Sequence, residues 1–348
     1  MLPACIASST KSGCNYKEMK DLSKNFVRHI TVDEGGDGQR LDNFLSRQLK
    51  GVPTSHIYRI VRSGEVRVNG GRAKPADRLA VDDVVRIPPL RMSAQSGEKN
   101  VPSPMMRSAL KRAPTIDILF EDDFLMAVNK PSGVAVHGGS GVSFGVIEQL
   151  RAQKPEQRFL ELVHRLDRDT SGVLLLAKKR SALVALHSAW REGTVEKRYD
   201  VLVKGRWRDE KRKVDAPLLR YLNKQGERRV RVDSEGQTAQ TIFFLRQVWK
   251  KAVPPQSLLC AELMTGRTHQ IRVHLTHLGF PLAGDDKYGD FDWNNTLATQ
   301  GLTRMFLHAH TLSFAHPDSG VRLTIEASLP ADLMAYLAAL DAQEETAS

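Results

Sequence analysis

An α+β fold, built around a largely antiparallel sheet and preceded by a small helical module, is what this sequence predicts. Three observations carry the prediction. Between residues 116 and 340, strand-like runs alternate with only a few helical ones and show no regular βαβ rhythm, which argues against a parallel sheet. Residues 91–115 (RMSAQSGEKNVPSPMMRSALKRAPT) are polar, aperiodic and carry three prolines, the composition of a linker. The 348 residues, 41% hydrophobic and 26% charged, suffice for two folded domains of ordinary globular composition.

Taken in order, residues 1–37 are mixed in character and lack periodicity, so they read as a flexible tail. RLDNFLSRQL brings Leu41, Phe44, Leu45 and Leu49 to one face of a helix, which Gly51 and Pro53 end. Thr54 can cap a second helix, SHIYRIVRSG, with Ile57, Ile60 and Val61 inward and Arg59 and Arg62 outward. EVRVNGGRAKP then alternates as a strand around an Asn-Gly turn, and VVRIPP closes a unit spanning 38–90. In the larger part, 116–340, two strands flank the acidic turn Glu121-Asp122-Asp123. The clearest helices there are VIEQLRAQ, SALVALHSAW and LMAYLAAL, and residues 341–348 read as a C-terminal tail.

The net charge of +11 and pI near 9.6 favour a polyanionic partner. Residues 40–91 hold eleven Lys/Arg against five Asp/Glu, so more than half of the excess is concentrated in a small part of the chain. No run of about eighteen apolar residues offers a membrane span, and the N-terminus has no apolar core of a secretory signal. Cys5, Cys14 and Cys260 match neither a zinc knuckle nor a CxxC redox pair, as expected of a cytoplasmic protein.

Several stretches bear on chemistry. GVSFG at 141–145 fits the G-x-S-x-G pattern of a serine nucleophile, with Ser143 as the serine and HGGS just before it. A hydrolase of that type needs the two on separate strands of a parallel sheet, so a glycine-rich turn before VIEQLRAQ is the better account. His269, His274 and His277 have no carboxylate among them and two arginines beside them, so no metal site is expected. TGRTHQIRVHL sets Arg267, His269, Gln270 and Arg272 beside apolar residues, a group suited to an anion or to a partly buried carboxylate. Its QIRVHL segment fits either a helix or a strand. HRLDRDTSG, 164–172, puts five charged or titratable residues on the threshold of the apolar VLLLAKK. Spacing alone implies a paired acid and does not choose between Asp167 and Asp169.

Resemblance chooses. In chain order, NKPSGVAVHGG, HRLDRDTSG, KRYDVLVKG, EGQTAQT, TGRTHQIRVHLTHLGFPLAGDDKYGD and FLHAHTLSFAHP follow the pattern of the RluA-type pseudouridine synthases. Residues 38–90 resemble the S4 RNA-binding module that many members carry. QLKGVPTSHIYRIVRSGEVRVNGGRAKP and VHGGSGVSFGVIEQLR look most like a member acting on large-subunit (23S) ribosomal RNA. The resemblance implies the family's fold, a central mostly antiparallel mixed sheet, and its reaction. The N1–C1′ bond of a uridine in RNA breaks, the base turns and rejoins through C5, with no redox step, no hydrolysis and no cofactor. It implies Asp167 as the catalytic carboxylate, attacking C1′ or removing a sugar proton, Tyr199 as the active-site tyrosine, and Arg267 as the guanidinium partner of Asp167. It also implies Arg47, Lys50, Arg59, Arg62 and Arg67 of the module as phosphate contacts, with Arg165 and Arg272 meeting RNA beside the site. Two rivals stay open: the same chemistry on another RNA such as transfer RNA, and a non-catalytic ribosome-assembly protein. No heptad or large apolar stripe is evident, so a monomer is expected.

Overall fold

A computed structural model of the chain describes residues 27–33, 36–49, 52–90, 114–138 and 145–346. Lys50 and Ser143 therefore lie outside the described residues. The chain divides into two compact units, Met1–Lys99 and Asn100–Ser348.

In the first unit, β1 (Arg28–Thr31), β2 (Arg67–Val68), β3 (Gly71–Arg72) and β4 (Val84–Ile87) form a sheet in the order β1-β4-β2-β3. Helices α1 (Leu41–Gln48) and α2 (Thr54–Arg62) bury Leu41, Phe44, Leu45, Ile57, Ile60 and Val61 in a common core with Val85 and Ile87. Asn69 and Gly70 both take positive φ (50° and 79°), the backbone that a two-residue hairpin between β2 and β3 requires. One expectation needs correction here. The residues read as a tail up to 37 include β1, which pairs antiparallel with β4 (Ile30 opposite Val85). A four-residue edge strand is too short to announce itself by periodicity; its partner defines it.

The second unit is a ten-stranded sheet. Its strands are β5 (Asp117–Glu121), β6 (Leu125–Lys130), β7 (Glu161–Leu162), β8 (Ser171–Ala177), β9 (Glu196–Lys204), β10 (Lys211–Asp215), β13 (Gln240–Trp249), β14 (Gln256–Leu263), β15 (Leu307–Ala315) and β16 (Arg322–Glu326). The main path runs β10-β13-β14-β9-β15-β8-β6-β5, with β7 on β8 and β16 on β15. Every pairing of described strands is antiparallel except β15 with β8, so the sheet is mixed and mostly antiparallel. A separate hairpin, β11 (Leu218–Leu222) with β12 (Arg228–Val232), stands beside it.

All seven residues of β8 are buried, because apolar layers cover both faces of the sheet. Helix α3 (Val146–Gln153) packs Val146, Ile147 and Leu150 into one layer, and α4 (Arg180–Glu192) packs Ala182, Leu183 and Leu186 into the other. QIRVHL resolves as helix α5 (Gln270–His277), which is followed by α6 (Phe291–Thr299). The expected tail at 341–348 is instead helical through Thr346, the end of α7 (Ala331–Thr346). Asp341 accepts hydrogen bonds from Trp249 Nε1 (2.8 Å) and Gln247 Nε2 (2.6 Å), contacts with distant residues that local sequence cannot reveal.

At the parallel join, Ala309 lies opposite Gly172, which has φ +112°. A Cβ there would sit 2.2 Å from the Ala309 carbonyl oxygen, with backbone on every near side. Gly172→Ala is therefore expected to destabilise the protein by about 3 kcal/mol through overpacking and strained backbone, read by chemical denaturation. A loss below about 0.5 kcal/mol, the range of indifferent surface changes, would mean that the join tolerates a side chain.

Candidate active site

Asp167 sits on the loop that enters β8, and that loop is tied down on its inner side. Lys130, fully buried, donates to the carbonyls of Pro131 (2.9 Å), Val134 (2.7 Å) and Arg168 (2.8 Å), while Ser132 Oγ donates to that of Asp169 (2.7 Å). Burial pulls the Lys130 ammonium down to about 7, with the charge of Asp169 acting against the shift. At the loop's end, Ser171 Oγ lies 2.9 Å from His308 Nδ1 and accepts from Arg304 Nη2 at 2.6 Å. His308 Nε2 is 3.0 Å from the Ala327 carbonyl, so Nε2 carries the proton and Ser171 is the donor to Nδ1.

The two aspartates separate in space. Asp169 pairs with the exposed Arg168 (3.0 Å), whereas Asp167 lines a cleft of about 540 Å³, within the usual range for a ligand site. Tyr199 on β9, Leu166, Leu263, Ile271 and Leu307 line the same cleft, with Arg165, Arg220, Arg267 and Arg272 around it. The Asp167 side chain is 32% exposed, so it is reachable from the cleft.

The guanidinium that faces Asp167 is that of Arg272, with Nη1 at 3.6 Å from Oδ2; this corrects the expected pairing with Arg267. Arg267 precedes α5, lines the cleft and donates Nε to the Thr238 carbonyl at 3.0 Å. Arg272 lies on α5 and is only 3% exposed, which also argues against its expected role as a surface RNA contact. Its fork binds the fully buried Asp285 bidentately (Nε to Oδ2 2.6 Å, Nη2 to Oδ1 2.5 Å) and touches Asp286 at 3.2 Å. Burial works against both charges, but these hydrogen bonds outweigh it. They hold the Asp285 carboxyl below the usual range and raise the guanidinium above its own.

His269 stands at the N-cap of α5 with φ +54°, its Nε2 3.8 Å from Asp167 Oδ2. Nδ1 is 2.8 Å from the Tyr288 hydroxyl, which accepts from Val230 N at 3.0 Å. Tyr288 thus bridges the Val230 backbone and His269, whose Nε2 faces Asp167. Burial lowers the pKa of His269, favouring its neutral form. Tyr199 is 9% exposed; burial, then the charge of Asp167, pushes its hydroxyl well above the ordinary tyrosine value. His274 is committed to structure, between Thr241 Oγ1 (2.9 Å) and the Ala216 carbonyl (3.0 Å). Among the described residues no cluster of three or more His, Cys, Asp or Glu is placed to hold a metal ion.

In the first unit, Arg47, Arg59, Arg62 and Arg67 are all exposed, and none forms an ion pair among the described residues. Arg62 lies over the Tyr58 ring (5.6 Å) and Arg67 donates to the Gly70 carbonyl (3.1 Å). Sequence reasoning gave no role to Asp285, Tyr288 or Lys130, although all three lie in motifs quoted for the resemblance. The usable signal was GDDKYGD, an acid-rich stretch that follows Arg267 and Arg272 in the chain.

Residues 124–277 match the RNA pseudouridylate synthase family and residues 39–85 the S4 domain. A protein of Pasteurella multocida (strain Pm70) named ribosomal large subunit pseudouridine synthase C is 48% identical over 334 residues, 95% of this chain and 99% of its own. One of the same name from Escherichia coli (strain K12) is 53% identical over 302 residues, 86% and 92% of the two chains.

The chain belongs to the RNA pseudouridine synthase family.

The structure titled human RNA pseudouridylate synthase domain containing 4 is 26% identical, with TM-score 0.52, and covers 68% of this chain and 96% of its own. For this pseudouridine synthase, Asp285→Asn is expected to cost about 3–5 kcal/mol, because it leaves the buried Arg272 without its main counter-charge. The sign with pH follows from the depressed carboxyl. The contribution is complete above the unfolded pKa, about 4, and fades as pH falls below it, so wild type and variant should converge in acid. Denaturant titrations from pH 3 to 7 check this; a constant gap across that range would assign the effect to packing.

Proposed function

We propose that this protein isomerises specific uridines of large-subunit (23S) ribosomal RNA to pseudouridine, with Asp167 as the catalytic carboxylate. The observation that carries the reading is the convergence of Asp167, Arg272 and Tyr199 on one cleft. The names and high coverage of the relatives support the RNA substrate.

Arg272 places its guanidinium 3.6 Å from the carboxylate that acts in either route. In one, Asp167 attacks C1′ as the N1–C1′ bond breaks; in the other, it removes a sugar proton and a glycal forms. The freed uracil turns and C5 bonds to C1′, displacing the Asp167 carboxylate in the first route or adding to the glycal as C2′ regains its proton in the second. The C5 proton is then lost as N1 takes one up. The raised pKa of Tyr199 disfavours it as a base in the free enzyme and suits a ring that stacks on the uracil. Pulling the base from its stack costs a few kcal/mol, which basic and aromatic contacts offset. Arg165, Arg220 and Arg267 ring the cleft for the RNA, and Arg47, Arg59, Arg62 and Arg67 meet phosphates on the S4 unit. The reaction uses no cofactor. The protein acts as a cytoplasmic monomer.

Mapping pseudouridines in ribosomal RNA from cells lacking the protein, then complementing them, tests the reading. Large-subunit sites should disappear, return with wild type and stay absent with Asp167→Asn, whose rate should fall by about 10³-fold or more. Unaltered ribosomal sites would sink the substrate assignment, and losses confined to transfer RNA would move it there. Full complementation by Asp167→Asn would sink the catalytic role. For the S4 unit, replacing Arg59 and Arg62 together by alanine should lower the slope of log Kd against log salt by about two contacts' worth. An unchanged slope would remove both from the RNA interface.

A further inference from the structure

Lys197 has a position that the proposed chemistry does not use. It precedes Tyr199 by two residues on β9, so both side chains project from the same face of the strand, about 7 Å apart along it. Both line the cleft. Lys197 is only 8% exposed, yet its ammonium makes no hydrogen bond and no ion pair among the described residues. Glu262 is the carboxylate whose charge bears on it. Glu262 pairs in register with Arg198, on the other face, and lies 3.6 Å from the Arg198 guanidinium. Asp167 lines the same cleft but faces Arg272 and His269, and His164, His187, Arg165 and Arg191, which also line it, offer no anion. His164 is fixed by accepting from Leu175 N (3.1 Å) and by stacking on Trp190 (5.2 Å), and burial, then the charge of Lys197, drives its pKa down to about 4.

A largely buried lysine whose ammonium has no ion-pair partner is costly, and a neutral base carbonyl offsets little of that cost. An anion supplied from outside does. We propose that Lys197, walled by the stacked Trp190 and His164, forms a subsite for one backbone phosphate of the RNA next to the target uridine. The subsite holds the strand while the base is turned at Asp167. This rests on the reading of the cleft as an RNA-modifying site.

The test uses the whole protein and a short RNA carrying a modified site, with Kd measured by filter binding. Each phosphate near the target is replaced in turn by an uncharged methylphosphonate. In wild type, one position should weaken binding by about tenfold, the scale of one charge-assisted phosphate contact. The same replacement should have no effect in Lys197→Met, whose salt slope should be lower by about one, and its full effect should return in Lys197→Arg. The proposal is overturned if no single phosphate matters in wild type, a result that needs no variant to fold. It is equally overturned if Lys197→Met, folded by circular dichroism, keeps the wild-type sensitivity at every position. Lys197→Gln serves if the methionine variant does not fold. Because Kd is read without turnover, a wild type that binds but forms no pseudouridine counts against the proposed reaction, and not against the subsite.

Discussion

Arg272 and Asp285 are a charged pair almost wholly removed from water, and the working end of the cleft is organised around them. Such a pair is costly to bury and holds only when its remaining donors and acceptors are satisfied. Here Asp285 Oδ1 also accepts from Lys287 N (2.8 Å) and Tyr288 N (3.0 Å), so the turn 285–288 folds over the carboxylate. That turn presents the Tyr288 hydroxyl to His269 Nδ1 and so orients the imidazole. From the other side of the pair, Arg272 reaches Asp167. One buried interaction thus positions the groups facing the candidate catalytic carboxylate.

The sheet supplies the second constraint. Asp167 stands on a loop whose far end becomes the fully buried β8 at the parallel join with β15, where only a glycine fits against the Ala309 backbone. Lys130 and Ser132 hold the loop from the end of β6, and His308 and Arg304 hold it from the β15 side. A carboxylate mounted this way keeps its position without substrate, the preorganisation that a catalytic group needs. The charges of HRLDRDTSG divide accordingly. Asp167 faces the cleft, Arg168 and Asp169 pair with each other outside it, and His164 is neutral and stacked on Trp190.

Much of this was legible in the chain. The helix pair of the S4 unit follows from the spacing of Leu41, Phe44, Leu45, Ile57, Ile60 and Val61, because an amphipathic stripe needs only local periodicity. The Asn69-Gly70 hairpin follows from residues that accept positive φ. Strand β1 and the last turns of α7 were misread as tails. Both are ordered by partners far along the chain, β4 for the one and Trp249 with Gln247 for the other.

Within the cleft the division is sharper. Motif order across the chain pointed to Asp167 and Tyr199, since a chemical requirement for one residue type leaves its mark on the sequence. The choice between Arg267 and Arg272 was decided only in three dimensions. Five positions separate them, and the start of α5 falls between, so one remains on the loop while the other turns inward onto Asp285 and Asp167. The isolation of Lys197 was likewise invisible in KRYD, because absence of a counter-charge is a property of the surrounding volume. Composition and pattern were enough for the class of fold, and resemblance supplied the family and the candidate acid. Burial and ion pairing, which join residues distant in sequence, decided which guanidinium faces Asp167 and left Lys197 in the cleft without an ion pair among the described residues.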